Sequence, residues 1–569
     1  SPQNCYALLV YCANTRVQYM SQCMHPARTR HAFFKRFDYQ IATYVNEITG
    51  TKALIPDVNA FPHDDLATFL PTARMRLPRR LNGGMMRSSM DVASQAYLGG
   101  LLLAIPSFTD RVDVKGNKIP GILSHLSPSL YGIGSFNHGR ELHRFTPTLF
   151  GPTSLGNHLC KLWRHVKNLA CGHGRPQESI PKSSLFAVSV EAAGILDGSV
   201  CEKPQHQLTS EIEDRIALTL IQRCALRCDS LATPIPHPVI AFLSVDRLSR
   251  HFVATPAGPT TIIDAAAFRE CWATYLGLPS PACSAHTNID FTDCRRRRRT
   301  IDIYGHSVCT AMFPGDLWRK RHDAVKLTIA NLAAWCRLSL DMEVANLFVP
   351  FIRTNTTYAG VPQRVLHGLV PDFRVVRTNI LADVKTFSFS STWYSRARFQ
   401  GGLRLDAVRY RADCVHRDAV SKLRRLDSMG GVDGVGPASR RLQSFGRVRG
   451  WAFGAFGEAS PDAHQLLDAM TRQGAATRYR ELGVDTPLHA RAHIKRLCCK
   501  ELGIAVVRAA ALHKLKALAT AIMGAPAAAK QSTRRQSSSA AHKERANAYY
   551  HQHSFHADDI PGDRSQRRI

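Results

Sequence analysis

The sequence predicts a multidomain α/β protein, in which a mostly helical N-terminal half is followed by an α-β-β-β-α-β core. Three observations favour this fold class. The chain has 569 residues, which is too long for one ordinary hydrophobic core. Apolar residues recur at helical spacing through much of the first 280 residues. Strand-like segments become frequent only after residue 337, where they alternate with helical patterns.

Changes in composition divide the chain into six predicted regions, some rich in apolar periodicity and others in Gly, Pro, Ser, Cys or Arg. In order, they are a helical region at 1–110, a loop insertion and helical linker at 111–280, a Cys/His segment at 281–320, the α-β-β-β-α-β domain at 321–460, further helices at 461–524, and a disordered basic tail at 525–569.

The elements of the α-β-β-β-α-β domain follow from local patterns. "RHDAVKLTIANLAAWCRL" carries Val325, Ile329 and Leu332 on one helical face. "LSLDMEV" is strand-like, and "PDFRVVRTNILADVKTF" contains two strand-like runs joined by a polar turn. An apolar stripe predicts a helix from about 404 to 426, and "GWAFGAF" predicts a last strand. Ser460-Pro461 is typical of a helix start.

The charge balance predicts a polyanionic partner. The chain holds 74 Lys and Arg against 44 Asp and Glu, a net charge of +30, and the excess is spread along its length. Nucleic acid is the expected partner; no long basic amphipathic helix or apolar run of about 20 residues favours a membrane. Some of these charges could equally form a solvated face. The predicted nucleic-acid contacts are Arg295, Arg296, Arg297, Arg298, Arg299, Arg321, His322, Arg409, Arg411 and Lys422.

Sixteen scattered cysteines without a regular framework predict reduced thiols in the cytosol or nucleus, with the nucleus favoured. Four residues of the Cys/His segment are candidate zinc ligands: Cys283, Cys294, His306 and Cys309. Cys283-x2-His286 is a rival first pair, and ordinary loop cysteines are the alternative to any zinc site.

The hairpin carries the candidate catalytic residues. Asp383 and Lys385 are two positions apart on one strand, so their side chains leave the same face, and Asp372 can approach them across the turn. Two carboxylates and the Val384 carbonyl are hard ligands for Mg²⁺ or Mn²⁺. Lys385 could then orient the attacking water. Glu343 is a further candidate, with Asp341 as its alternative, and an incidental Asp/Lys pair on an exposed hairpin is the competing interpretation.

The order of these elements, with Pro371-Asp372 ahead of Asp383-Val384-Lys385, resembles the restriction-endonuclease-like PD-(D/E)xK nuclease core. Two further stretches, "YALLVYCANTRVQYM" and "YGHSVCTAMFPGDLWRKRHDAV", widen the resemblance to the C-terminal part of a non-LTR retrotransposon polyprotein. That part holds a reverse-transcriptase thumb, a Cys/His knuckle and the nuclease. The resemblance implies that Asp372, Asp383 and Lys385 are catalytic.

The implied function is a metal-dependent DNA endonuclease that nicks a target site, with DNA and the element's RNA as partners. No strand carries [FY]-x-Asp-Asp, and the chain opens "SPQNCYALLVYC" without Met, so we expect a fragment of a longer protein whose polymerase palm lies upstream. The alternatives are an inactive DNA- or RNA-binding fragment of such an element, or a PD-(D/E)xK nuclease of repair or recombination.

Overall fold

The protein is a mixed α/β structure, mostly helical, with small sheets. The computed structural model describes residues 1–23, 33–55, 65–89, 92–93, 96, 111–112, 115–119, 204–229, 234–344, 347–348, 351, 354–361, 370–390, 393–394 and 407–523. The predicted disordered tail and most of the predicted loop insertion lie outside these residues.

The predicted helical character of the N-terminal half is confirmed where it is described. The helices are α1 (Pro2–Leu8), α2 (Thr15–Cys23), α3 (Lys35–Thr49), α4 (Leu66–Arg76), α5 (Pro204–Asp229), α6 (His237–Ser244), α7 (Ala265–Leu276), α8 (Pro281–Ser284), α9 (His306–Thr310), α10 (Leu317–Trp335), α11 (Ala407–Met429), α12 (Pro437–Gln443), α13 (Pro461–Arg478) and α14 (Pro487–Met523). In the part of the chain that is described, no helix is long and apolar enough to cross a bilayer.

The strands form three small sheets. They are β1 (Arg111–Val112), β2 (Lys118–Ile119), β3 (Asp290–Thr292), β4 (Arg298–Thr300), β5 (Leu340–Met342), β6 (Phe373–Val375), β7 (Ile380–Thr386) and β8 (Arg449–Phe453). β1 pairs with β2 and β3 with β4, each as an antiparallel hairpin, and the other four strands form one sheet in the order β5-β6-β7-β8.

The four-stranded sheet contains the predicted hairpin as β6 and β7. β5, β6 and β7 are antiparallel neighbours, with Phe373 opposite Met342 on one side and Ala382 on the other. β8 runs parallel to β7 and brings Gly450 beside Asp383. The helix α10 precedes this sheet in the chain, and the helices α11 and α12 lie between β7 and β8.

Helices cover both faces of the sheet. On one face, Ala382, Val384 and Trp451 share a core with residues of α10, α13 and α14. On the other face, Leu381 packs with Val415 of α11. Gly450 lets α11 approach β8 closely, because a Cβ at this position would lie 2.5 Å from the Cα of Ala412.

Helix α14 links regions that differ in composition. It is 37 residues long, and its buried residues belong to three separate cores. Ile494 packs with the sheet core, Ile504 with the aromatic core around Trp272, and Leu518 with Cys283 in the Cys/His segment. The predicted linker, Cys/His segment and nuclease-like region therefore share this helix as a packing partner.

One feature of the predicted core is different in the structure. Glu343 was expected within the first strand, but β5 ends at Met342. Glu343 follows it with a positive φ of 47°, although its backbone N–H still donates to the carbonyl oxygen of Asp372 at 2.9 Å.

Candidate active site

The β6–β7 hairpin places Asp383 and Lys385 on the face that looks toward α11. Asn379 closes the turn with φ 54°, a left-handed conformation that asparagine tolerates well. Along β7 the side chains alternate between the two faces. Val384 is fully buried in the sheet core, while the side chains of Asp383 and Lys385 keep exposed fractions of 27% and 32% and form a close ion pair.

Asp372 lies just before β6 and reaches across to β7. Its Oδ2 accepts a hydrogen bond of 2.8 Å from the backbone N–H of Val384. Its carboxyl group lies close enough to that of Asp383 for each to shift the pKa of the other. The two aspartates that the sequence predicted to meet are therefore neighbours at one end of the hairpin.

Helix α10 contributes two further side chains one turn apart. His322 Nε2 lies 3.2 Å from Asp372 Oδ2 and 3.1 Å from the carbonyl oxygen of Val384. Lys326 Nζ lies 3.5 Å from Asp372 Oδ1. His322 was predicted as a nucleic-acid contact and Lys326 was not predicted at all. Their i, i+4 spacing on the helix preceding the sheet was the available sequence signal.

These contacts shift the protonation equilibria of the two aspartates in opposite directions. Burial and the adjacent Asp372 carboxylate raise the pKa of Asp383 to about 6, against the opposing charge of Lys385. Burial alone would also raise the pKa of Asp372, but hydrogen bonds from His322 and Asp383 lower it well below its usual range. Two carboxylates at such close range repel each other, so a proton or another cation between them is stabilising.

The histidine is shifted toward its charged form. Burial lowers the pKa of His322, but hydrogen bonds to Asp323 and Asp372 outweigh that effect and raise it to about 9. At neutral pH the site therefore holds an imidazolium against Asp372.

A cleft of about 90 Å³ opens beside the hairpin. Its walls include Pro371, Asp383 and Lys385 from the hairpin, and Asp418 and Lys422 from α11. Lys422 was predicted as a nucleic-acid contact, and its exposed side chain faces this cleft. A polyanion entering here would meet both lysines next to the paired aspartates.

The two acidic candidates at the end of β5 are engaged in ion pairs. Glu343 Oε1 lies 2.7 Å from Lys326 Nζ and its side chain is 62% exposed. Asp341 is paired with Arg374 on the neighbouring strand. Glu343 touches the site through Lys326, which bridges it to Asp372.

The predicted nucleic-acid contacts fall into two groups, arginines that are exposed on the surface and arginines that are bonded or stacked within the protein. Arg295–Arg298 are exposed at the tip of the β3–β4 hairpin, where Arg298 pairs with Asp290, and Arg409 is exposed on α11. Arg299 is half-buried and bonds to Thr310. Arg411 stacks on Trp393, with its guanidinium carbon 5.1 Å from the ring centre.

The guanidinium of Arg321 is hydrogen-bonded within the protein. Its guanidinium donates to Thr386 and Ser388 at the end of β7, with distances of 2.8–3.2 Å. Those bonds anchor α10 to β7 and so help to position His322, the next residue, against Asp372.

The predicted zinc ligands lie in different environments. Cys283 is fully buried among Phe291, Ile301 and Val308, whereas Cys294 is exposed. Burial raises the pKa of Cys309 to about 11, which favours the thiol over the thiolate that zinc requires. Within the described ranges, no three His, Cys, Asp or Glu side chains are grouped so as to hold a metal ion. The zinc knuckle therefore gains no support from this arrangement.

His306 has a partner that the sequence did not suggest. Its Nε2 lies 3.0 Å from Nε2 of His237, which is 69 residues away, and its ring stacks on Phe389. Burial lowers the pKa of His306 to about 4, so the ring is neutral. His237 Nδ1 contacts the Gly277 carbonyl, which leaves its Nε2 to accept a hydrogen bond from His306.

No protein-family model matches this sequence, and comparisons with curated proteins and with solved structures found no match either.

Proposed function

We propose that this chain is a metal-dependent endonuclease that nicks DNA, with a core of the restriction-endonuclease-like PD-(D/E)xK type. The observation that carries the proposal is the meeting of Asp372, Asp383 and Lys385 at one end of the hairpin, beside an open cleft. The sheet order supports it, since three antiparallel strands followed by a parallel fourth, with helices on both faces, is the αβββαβ arrangement expected of that core.

The donor set consists of two carboxylates and a backbone carbonyl, although the described residues contain no group of three His, Cys, Asp or Glu side chains placed to hold a metal ion. Asp372 and Asp383 offer carboxylate oxygens and Val384 a backbone carbonyl, all hard ligands of the kind that Mg²⁺ and Mn²⁺ take. The closeness of the two carboxyl groups raises the pKa of Asp383, so a cation between them would be stabilised. When bound, the metal would neutralise charge on the scissile phosphate.

The protein's own cations have distinct places in the proposed reaction. Lys385 stands next to Asp383 on the cleft side, where its ammonium can position a water molecule and hold a proton near the phosphate. Lys422 faces the same cleft from α11 and would attract the DNA backbone. The exposed arginines of the β3–β4 hairpin would add affinity without sequence preference.

The wider proposal is that the chain is the C-terminal part of a non-LTR retrotransposon polyprotein, working in the nucleus on DNA and bound to its element's RNA. It rests on the resemblance of the N-terminal and Cys/His segments and on the net charge of +30. A repair or recombination nuclease with the same core is the alternative.

A non-catalytic nucleic-acid-binding protein is the second candidate, and one observation favours it. Lys326 pairs with Asp372 and Lys385 pairs with Asp383, so each carboxylate already has a cation. Such internal pairing could leave the hairpin as a structural feature with no metal.

A nicking assay on supercoiled plasmid separates the two candidates. We expect the full chain to produce nicked circles with Mg²⁺ or Mn²⁺ and not with EDTA, and Asp383→Ala and Lys385→Ala to lose about 100-fold or more in rate. Asp433→Ala and Lys516→Ala change exposed residues of the same types and should retain activity. Equal activity in all five proteins, or none in a folded parent that still binds DNA, contradicts the nuclease proposal.

A further inference from the structure

A cavity of about 60 Å³ lies just beyond the end of β7 and shares no described lining residue with the proposed catalytic cleft. Its walls include residues 387–389 after β7, residues 455–457 after β8, and parts of the helices α7, α9, α10 and α14. One water molecule needs about 10–15 Å³ of such space, so the cavity has room for about five non-hydrogen atoms. It is therefore large enough for one small polar group and too small for a whole nucleotide.

Two cations, Arg321 and Lys514, line this cavity, and none of its described lining residues is acidic. The Lys514 ammonium lies 3.2 Å from Glu270 Oε2 and 3.1 Å from Thr274 Oγ1. An ammonium group has three N–H donors, so these two contacts leave one for a ligand. The charge of Lys514 is balanced by Glu270, behind the cavity wall.

Arg321 is a partly buried cation without a counter-ion. Its Nε and Nη2 donate to Thr386 and its Nη1 donates to Ser388, and all three acceptors are uncharged oxygens. Among the described residues, no carboxylate is paired with this guanidinium. Buried charges are normally paired, because their transfer out of water is costly. A guanidinium has five N–H donors, so two remain for an anion.

The thiol of Cys309 lies close to both cations but does not neutralise them. Burial raises the pKa of Cys309 to about 11, and the charges of Lys514 and Arg321 both act against that shift. The thiol is therefore uncharged at neutral pH. Asp302, a carboxylate of the same region, accepts hydrogen bonds from the backbone N–H groups of 304, 306 and 307 and does not line the cavity. The cavity thus carries an excess positive charge next to an unfilled space.

We propose that this cavity binds a phosphate group, which accepts hydrogen bonds from Arg321 and Lys514. A guanidinium presents N–H donors that match two oxygens of a phosphate, and charge-assisted hydrogen bonds of this kind are among the stronger ones in proteins. The rings of Phe389 and Phe456 in the wall lower the local polarity, which strengthens such bonds. The site lies outside the catalytic cleft, and the inference does not rest on the proposed nuclease activity.

The size of the cavity restricts the form of the phosphate. A phosphate ion has five non-hydrogen atoms, and a terminal phosphate enters with its ester bond pointing outward. A phosphate within a continuous strand carries a sugar on each side and exceeds the room for about five atoms. The ligand is therefore a free phosphate ion or the terminal phosphate of a nucleic-acid strand, which share the same chemistry.

Protection of Cys309 from alkylation tests the proposal on the full chain. Iodoacetamide, an uncharged reagent, is added in EDTA with increasing inorganic phosphate, and peptide mass spectrometry follows the modification of each cysteine. Phosphate should slow the modification of Cys309 in a saturable way, by about tenfold at about nine times the dissociation constant. The exposed Cys294 is the internal control and should react at an unchanged rate. Potassium chloride at the same ionic strength should protect neither cysteine.

A double variant tests where the phosphate binds. Lys514→Gln with Glu270→Gln removes the ammonium donor without changing the net charge, and it should weaken phosphate binding by about tenfold. Lys516→Gln makes the same substitution at an exposed lysine of α14 and should keep the affinity of the parent. Thermal denaturation shows whether each variant is folded, and the measurement on the parent needs no variant.

The proposal fails if phosphate leaves the rate at Cys309 unchanged, if chloride protects it equally, or if Cys294 is slowed to the same extent. It also fails if the folded double variant keeps the affinity of the parent. Two oligonucleotides of one sequence, with and without a 5′-terminal phosphate, then identify the source of the group. Stronger protection by the phosphorylated strand assigns the site to a strand end, and equal protection assigns it to the free ion. These results are independent of whether the chain nicks plasmid DNA.

Discussion

Replacing Asp383 with asparagine should make the metal-free protein more stable at neutral pH, although it removes a proposed catalytic residue. Asp383 lies next to Asp372 in a partly buried site, and its pKa is raised from the usual 3.8 of an aspartate to about 6. A carboxyl group with a raised pKa contributes most to stability below pH 3.8, where it is protonated in both states. That contribution is lost as the pH rises through about 6.

The magnitude follows from the displacement of the pKa. At 1.36 kcal/mol for each pH unit, the change from 3.8 to about 6 corresponds to at most about 3 kcal/mol at pH 8. The partial exposure of the side chain and the ion pair with Lys385 reduce the expected gain in the free energy of unfolding to about 1–3 kcal/mol. The side-chain amide of an asparagine can also donate a hydrogen bond to Asp372, and it places no second negative charge beside that carboxylate.

Urea denaturation in EDTA at pH 4 and pH 8 measures this effect, with fluorescence as the signal because Trp451 lies in the sheet core. Asp372→Asn is the matched control. The pKa of Asp372 is lowered by its partners, so its charged form stabilises the fold above the usual pKa of an aspartate. This variant should therefore be less stable than the parent at pH 8. Our reasoning is refuted if Asp383→Asn is no more stable than the parent at pH 8, or if its advantage is the same at pH 4.

Three further predictions concern the surroundings of the site. Gly450→Val should lower stability by about 1–3 kcal/mol in thermal denaturation, because its Cβ would collide with the backbone of Ala412; an unchanged melting temperature would contradict the close packing of α11. The double variant Arg295→Ser, Arg297→Ser should bind DNA more weakly, and the slope of log K against log[KCl] should become less steep by about 2. Fluorescence anisotropy at several KCl concentrations measures this slope, and an unchanged slope would exclude this hairpin from the interface. Asp427→Asn should lower the free energy of unfolding by about 1–3 kcal/mol at pH 7, because the buried carboxylate accepts hydrogen bonds from backbone N–H groups of 436–439. These bonds lower the pKa of Asp427, so the difference in stability between variant and parent should be smaller in acid. Chemical denaturation at pH 7 and pH 3 measures it, and an equal difference at both pH values would contradict this prediction.

Local patterns were sufficient to predict the elements of the core. The two-residue period of β7 and the apolar stripe of α11 are properties of short windows, and the structure confirms both elements. Ser460 caps α13 as the Ser-Pro pair predicted, accepting from the N–H of Ala463. The approach of Asp372 to Asp383 was also predictable, because a short hairpin brings these residues together without any other part of the chain.

Contacts between residues far apart in the sequence determine the parts of the site that local patterns did not predict. His322 and Lys326 enter the site only because α10 packs across the ends of β6 and β7; His322 is 50 residues from Asp372 in the sequence. The partnership of His306 with His237 has the same origin. The four predicted zinc ligands are not grouped among the described residues: Cys283 and Cys309 share a small apolar core with α14, whereas Cys294 is exposed and His306 contacts His237. No pattern within the Cys/His segment reveals that competing partner.

The placement of α14 has a consequence for biosynthesis. The sheet that carries Asp372, Asp383 and Lys385 is translated before α14, yet its apolar face is completed by residues such as Ile494 and Leu502 of that helix. A nascent chain that has passed β8 therefore holds every proposed catalytic residue but lacks part of the core beneath them. We therefore expect the site to be held in place only after residues 487–523 have left the ribosome, and a chain interrupted before that point should lack the proposed nuclease activity.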